Sequence, residues 1–275
     1  MRQRSDGGAP DAEAAPAPPP LPVDVVDSHC HLDLVGGDVQ EVLDAGAAVG
    51  VPRVVTIGID VASSRFAAEL AAAYPAVAAA VAIHPNEAGT ADAAALAEIE
   101  RLAALPQVRA VGETGLDFYR DSADVADQQR SFRAHIAIAK SSGKALVIHD
   151  REAHDAVLAA LEEEGAPEQT VFHCFSGDAE LARRCADLGY VMSFAGNVTF
   201  KNAQPLREAV AAAPLELLLV ETDAPFLTPM PHRGKANAPY LIPLTVRVMA
   251  QCKGVSEEEL ATAIAATSER VFGPW

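Results

Sequence analysis

The chain has 275 residues, a hydrophobic fraction of 50% and a formal net charge of −17. Its length suits one large core, since an α/β barrel of ~250 residues uses nearly all of it, while its acidic balance argues against long-range attraction to nucleic acid. No apolar run approaches the ~20 residues of a membrane span and no apolar signal-peptide core follows the basic start at Met1 to Arg4, so the expected location is cytoplasmic, with no membrane association.

Residues 1–22 are rich in Ala, Pro and acidic groups and end in Pro18-Pro19-Pro20. Such a stretch buries too little apolar surface to order itself, which predicts a disordered or polyproline-like tail followed by a single domain over 23–275. In chain order, strand Val23–Ser28 is followed by helix Val39–Val49, then strand Arg53–Ile57 by helix Ser63–Tyr74. Strand Val77–Ile83 precedes helix Ala91–Leu105, strand Val108–Gly112 helix Val125–Ser142, and strand Ala145–His149 helix Glu152–Glu164. Strand Thr170–His173 precedes helix Ala179–Leu188, strand Tyr190–Phe194 helix Ala203–Ala213, and strand Glu216–Val220 helix Pro243–Lys253. A last helix near Ser256–Ala266 opens with Ser256 and Glu259 at capping-box spacing. Gly50 before Pro52, Gly143, Gly165 and Gly189 supply stop signals. Eight strand-helix pairs predict a closed parallel (β/α)8 TIM barrel of α/β class. An open doubly wound sheet is the rival, but no GxGxxG follows the first strand, whose loop carries HxH instead.

The segment Asp27-Ser28-His29-Cys30-His31-Leu32-Asp33 holds the most chemistry. Side chains i and i+2 of a strand share a face, so His29 and His31 point together and Cys30 points away. Two imidazoles at a strand tip make half a metal site. Other strand ends add to it: Glu113 and Asp117 after the fourth, His149 after the fifth, His173 after the sixth, Glu221 and Asp223 after the eighth. In a parallel barrel these tips meet at one mouth. The set exceeds one tetrahedral ion and suits two divalent ions ~3.5–4 Å apart with a carboxylate between them. The expected distribution is His29, His31 and Asp223 on one ion and His149 and His173 on the other, with Glu113 bridging. Imidazole and carboxylate ligands accept Mg, Mn, Zn or Fe, so the metal's identity stays open. Two such ions lower the pKa of water and stabilise charge on a substrate oxygen, which is hydrolytic chemistry. Asp223 is the candidate general base, and Glu221 and Asp33 are candidate partners that orient ligating histidines. The four cysteines, Cys30, Cys174, Cys185 and Cys252, form no CxxC pair and read as small buried hydrophobes. His135 and His154 fall within predicted helices and read as non-catalytic.

The ordered series DSHCHLD, IHP at His84, GETGLDFYR, Q-x-x-S-F from Gln128, IHDRE, HCFSG, ETDAPFL and PHRGKANAP resembles the TatD family of metal-dependent hydrolases from about Val25 to Phe272. The resemblance implies a two-metal barrel with deoxyribonuclease activity, a 3′-to-5′ exonuclease favouring single strands. Its ligand positions fall on His29, His31, Glu113, His149, His173 and Asp223, with Glu113 and Asp223 as the catalytic carboxylates. The family commonly carries a second His after its HP; here Asn86 stands there, a hydrogen-bond donor without charge. Arg151, Arg233 and His84 are expected to contact substrate, with Arg120, Lys201 and Lys235 as further cations on predicted loops. Phe118, Tyr119, Phe175 and Phe226 stand near strand tips, where packing and base stacking are both open. The implied substrate is a single-stranded DNA end, and no protein partner is implied. A two-metal hydrolase of an ester or amide, such as a D-aminoacyl-tRNA deacylase, would use the same barrel with different loops.

Overall fold

A computed structural model describes residues 13–275. The order is β1 (Val26–Cys30), α1 (Leu32–Val35), α2 (Val39–Ala47), β2 (Arg53–Ile57), α3 (Val61–Ala73), β3 (Val77–Val81), α4 (Ala93–Ala103), β4 (Val108–Asp117) and α5 (Val125–Ser142). It continues through β5 (Ala145–Arg151), α6 (His154–Glu164), β6 (Thr170–Phe172), α7 (Ala179–Asp187), β7 (Val191–Phe194), α8 (Gln204–Ala212), β8 (Leu218–Val220), α9 (Ile242–Lys253) and α10 (Glu257–Phe272). Short 3-10 turns add Pro85–Thr90, Gly196–Thr199, Leu215–Leu217 and Pro239–Leu241.

Every ladder is parallel and the strands neighbour one another in sequence order from β1 to β8, giving a (β/α)8 barrel. Alternation along the strands divides the core in two. Val55 and Ile57 of β2, Ala78 and Ala80 of β3, and Val147 of β5 fill the interior. Val54, Ala79, Val81, Leu146 and Ile148 face the helices in the larger outer cluster. Small alanines at the interior positions of β3, β4 and β5 leave room for larger neighbours, as a tapering barrel demands. Val271 and Phe272 at the end of α10 join that interior cluster. The Arg53 guanidinium lies 5.7 Å over the Trp275 ring, so the C-terminal segment closes the end of the barrel away from the strand tips.

The join between β1 and β8 is made differently. Beyond a single bridge between Cys30 and Ala224, His31 N donates to Ala224 O and Asp223 N to His29 O, each at 2.9 Å. The buried Asp27 carboxylate accepts from Thr222 N at 2.9 Å and Thr222 Oγ1 at 2.6 Å. A side chain thus replaces ladder hydrogen bonds where β8 has ended. Burial pushes the Asp27 carboxyl up to about 7 against the pull of those bonds.

Several predicted boundaries move. β4 runs on to Asp117 because, after a register shift between Val111 and Thr114, Thr114 to Asp117 pair again with Ile148 to Arg151 of β5. The segment before β8 is a 3-10 turn, and α10 continues to Phe272. Ser256 Oγ accepts from Glu259 N as the capping spacing predicts, while a reciprocal capping box is formed by Asp60 and Ser63 at α3.

The predicted tail needs correction over 13–22; residues 1–12 lie outside the described residues. Ala15 and Leu21 are each 7% exposed. Ala14 bridges Ala236, Tyr240 Oη donates to Ala15 O at 2.9 Å and Arg247 to Pro19 O at 2.8 Å. Leu21 N donates to Val49 O at 3.0 Å. Composition counts how little the stretch buries by itself; it does not see the apolar seat that α2 and the segment before α9 offer it.

Candidate metal centre at the barrel mouth

The strand tips enclose a cavity of about 300 Å3, and Glu113 sits at its centre, 4% exposed. The two oxygens of its carboxylate face different histidine groups. Oε2 lies 3.5 Å from His29 Nε2 and 3.9 Å from His31 Nε2. Oε1 lies 2.8 Å from His149 Nδ1, 3.0 Å from His173 Nε2 and 3.2 Å from His84 Nε2. Asp223 Oδ1 completes the first group at 3.8 Å from His29 Nε2 and 3.4 Å from His31 Nε2. The Asp223 backbone is left-handed (φ 52), which turns its carboxylate out of the strand direction and toward those rings.

The separations of 3.4–3.9 Å in the first group suit a cation. Ligand atoms ~2.1 Å from a tetrahedral ion stand about 3.4 Å apart, while a hydrogen bond needs closer approach. The fully buried His29 has neither ring nitrogen hydrogen-bonded, and His31 Nδ1 is likewise unsatisfied. Buried polar atoms in that state call for a partner. The ligand atoms of His29, His31 and Asp223 lie within 4.8 Å of one another, as do those of His84, Glu113 and His149. The donor set therefore fits divalent cations.

The electrostatics follow from crowding. Burial alone would raise the Glu113 carboxyl, but His173, His84 and His149 hold it well below the usual range. Burial likewise opposes charge on His173, yet Glu113 and Glu221 carry it well above an ordinary imidazole. His29 is lowered by burial and by His173, whose ring stacks on it with centroids 3.9 Å apart. Asp223 stays ionised: burial raises it, and His31 and His29 more than reverse that.

Partner residues surround the ring. Glu221, fully buried, sets His173 through Nδ1 at 3.2 Å and accepts from Cys174 N at 2.9 Å, as its position two residues before Asp223 leads one to expect. Asp33 is exposed on α1; against the pull of burial, its charge helps to raise the His31 pKa, behind the larger influence of Asp223, whose Oδ1 lies 3.4 Å from His31 Nε2. His84, expected as a substrate contact, stands in the histidine group around Glu113 Oε1. Arg151 and Arg120 line the cavity. Arg233 instead lies over the Phe200 ring at 4.6 Å and is absent from the cavity wall, Lys201 is exposed, and Lys235 pairs with Glu13 at 3.4 Å. Phe175 is core, Phe226 lines the cavity, and Phe118 and Tyr119 are exposed. Cys30 and Cys185 are buried as expected, whereas Cys174 lines the cavity.

Asp117 is the strand-end residue to which the sequence assigns no role. Its Oδ2 lies 3.2 Å from His149 Nε2, and its Oδ1 accepts from Tyr119 N and Arg120 N at 3.0 and 2.9 Å. Burial raises its carboxyl, but the His149 contact brings it down to about 2. Gln128 of the Q-x-x-S-F block grips its backbone, accepting from Asp117 N at 2.8 Å and donating to Asp117 O at 3.1 Å. The i, i+4 spacing from Glu113 in an apparent loop hid this, because only the extension of β4 carries Asp117 back to the cavity.

A parallel barrel with histidines and carboxylates gathered at its strand tips has the architecture of a metal-dependent barrel hydrolase. Within that class the chain belongs to the TatD-related DNase family, whose model matches residues 26–273. It is 46% identical over 258 residues to an uncharacterized metal-dependent hydrolase TatD of Mycobacterium tuberculosis, covering 90% of this chain and 98% of that one. It is 38% identical to the uncharacterized metal-dependent hydrolase YabD of Bacillus subtilis, with 90% and 98% covered. Among solved structures, YJJV, a TatD homolog from Escherichia coli K12, superposes with a TM-score of 0.87 at 27% identity over 91% of this chain and 98% of that one. A TatD family protein of Entamoeba histolytica shares the fold, with a TM-score of 0.81 at 19% identity over 93% and 100%.

Proposed function

We propose that the chain is a divalent-metal-dependent deoxyribonuclease that hydrolyses phosphodiester bonds at single-stranded DNA ends, acting from 3′ to 5′. The observation that carries the metal-dependent part is the division of Glu113, one oxygen to His29 and His31 and the other to His149, His173 and His84. Family membership supports the substrate. His29, His31 and Asp223 would hold one ion, His149 and His173 the other, and Glu113 both. When bound, such ions acidify water and polarise a phosphoryl oxygen.

The chain's own groups supply the rest. Asp223, kept ionised by His31 and His29 despite burial, accepts the proton of the attacking water. His84 Nδ1 accepts from Asn86 N at 3.0 Å, so a neutral His84 carries its proton on Nε2 and points that N–H at Glu113 Oε1, 3.2 Å away, which steadies the carboxylate between the two groups. Glu221 and Asp117 fix the rings of His173 and His149. Arg151 and Arg120 on the cavity wall meet the non-bridging oxygens of the substrate. These few cations suffice for an end nucleotide on a chain of net charge −17, so binding should show a shallow salt dependence.

The test offers purified protein a labelled single-stranded oligonucleotide, a D-aminoacyl-tRNA and a simple lactone, each with Mg, Mn or Zn and with chelator. Chelator-sensitive release of mononucleotides from the 3′ end is expected. Ester cleavage with the oligonucleotide intact would replace this reading by the deacylase one.

A further inference from the structure

Phe118 and Tyr119, directly after β4, are 40% and 59% exposed. Hydrolysis as described makes no use of them. The Arg151 guanidinium lies 3.9 Å over the Tyr119 ring, and Arg151 itself lines the cavity. The pair is fixed from behind. Phe118 N donates to Arg151 O at 2.9 Å. The Asp117 carboxylate takes Tyr119 N and Arg120 N, and Gln128 clamps the Asp117 backbone. An aromatic ring with a flat cation stacked on it, held beside a cavity by five hydrogen bonds, is a planar surface ordered before any ligand arrives.

A guanidinium stacked this way can donate from its edge while its face stacks. Phosphate accepts at an edge and a nucleobase stacks on a face, and an end nucleotide carries both. We propose that Tyr119 and Arg151 form a stacking platform for the unpaired base of a DNA strand end seated at the cavity. The substrate class rests on the deoxyribonuclease reading above. A base at a blunt duplex end is held by its pair and by the neighbouring stack, so the platform selects single-stranded ends, and it does so with little regard to sequence because every base has a π-face.

The test reads binding separately from cleavage. A single-stranded oligonucleotide with 2-aminopurine as its 3′ nucleotide and hydrolysis-resistant phosphorothioate links is titrated with the metal-loaded protein, and the quenching of 2-aminopurine by stacking is followed. Wild type and Tyr119→Phe should quench alike. Tyr119→Ala should lose most of the quenching and bind about tenfold more weakly. An oligonucleotide with an abasic 3′ nucleotide should bind wild type and Tyr119→Ala equally, which excludes a folding defect. Equal quenching and affinity for wild type and Tyr119→Ala overturns the platform. Cleavage of the unmodified strand, measured alongside, separates the two readings. Cleavage without quenching by wild type sinks the platform alone, and quenching without cleavage keeps the platform and removes the nuclease.

Discussion

Glu113 concentrates the chemistry of the molecule in one carboxylate, because each of its oxygens answers to a different set of rings. Glu113→Gln keeps the shape and removes the charge that both groups share. Turnover should fall at least about 100-fold, on the scale of losing a transition-state contact, and bound metal measured by elemental analysis should fall with it; retention of both would show that the carboxylate bridges nothing. His135 is a different kind of buried imidazole. It ties α5 to the segment just after β3, its Nε2 accepting from Ile83 N at 3.1 Å and its Nδ1 lying 2.7 Å from Ser131 O. Burial pushes its pKa down to about 4, with the Ser131 carbonyl pulling weakly the other way. The fold therefore prefers the neutral ring. Its stabilisation is whole above the unfolded value of about 6.5 and is lost as pH falls from there toward 4, because the unfolded chain takes up the proton first. Urea melts between pH 8 and pH 4.5 should show His135→Gln weaker at pH 8 but with a shallower decline on acidification, the difference reaching roughly 3 kcal/mol at most.

At the scale of elements, β4 and β5 decide whether the site exists. Their ladder runs from Ala110 and Ala145 to Asp117 and Arg151, carrying Glu113, Asp117 and His149 into one cavity. Gly115 permits it: its φ of +137 is one that side chains rarely adopt, and a Cβ there would collide with His149 O. Gly115→Ala should cost about 1–3 kcal/mol in overpacking, with strain of similar size, and should displace His149. Loss of activity should exceed what the lowered melting temperature explains, and wild-type turnover in this variant would mean the ladder has slack there. The alternation of strand and helix was legible in the sequence because buried parallel strands make short apolar runs and the amphipathic helices between them end in glycines. The histidines and Glu113 were legible because strand tips in such a barrel share one mouth. Asp117 and Asp27 were not. Their roles depend on a register shift in β4 and on the way β8 stops short, and both are set by pairing between distant segments.

The whole molecule is a barrel closed at one end by its own C-terminus and braced on its flank by residues 13–22. None of those ten residues lines the cavity. Removing residues 1–22 should therefore leave turnover at 25 °C near wild type while lowering the melting temperature by several degrees, since burying one leucine contributes about 1.5–3 kcal/mol and a domain of this size loses about 2–4 °C per kcal/mol. A large fall in turnover with an unchanged melting temperature would assign the brace to catalysis instead.

The join between the first and last strands has one further consequence. His29 and His31 stand on one side of it and Asp223 on the other, at the point where side chains such as Asp27 take over from the ladder. A cation held by all three would staple the circle shut at its weakest link, so chelation should loosen the hoop before it harms the rest of the wall. Hydrogen exchange after chelator treatment should accelerate first at the amides of His31, Thr222 and Asp223, ahead of those paired between β2 and β3; uniform acceleration around the ring would mean the seam bears no special share of the load.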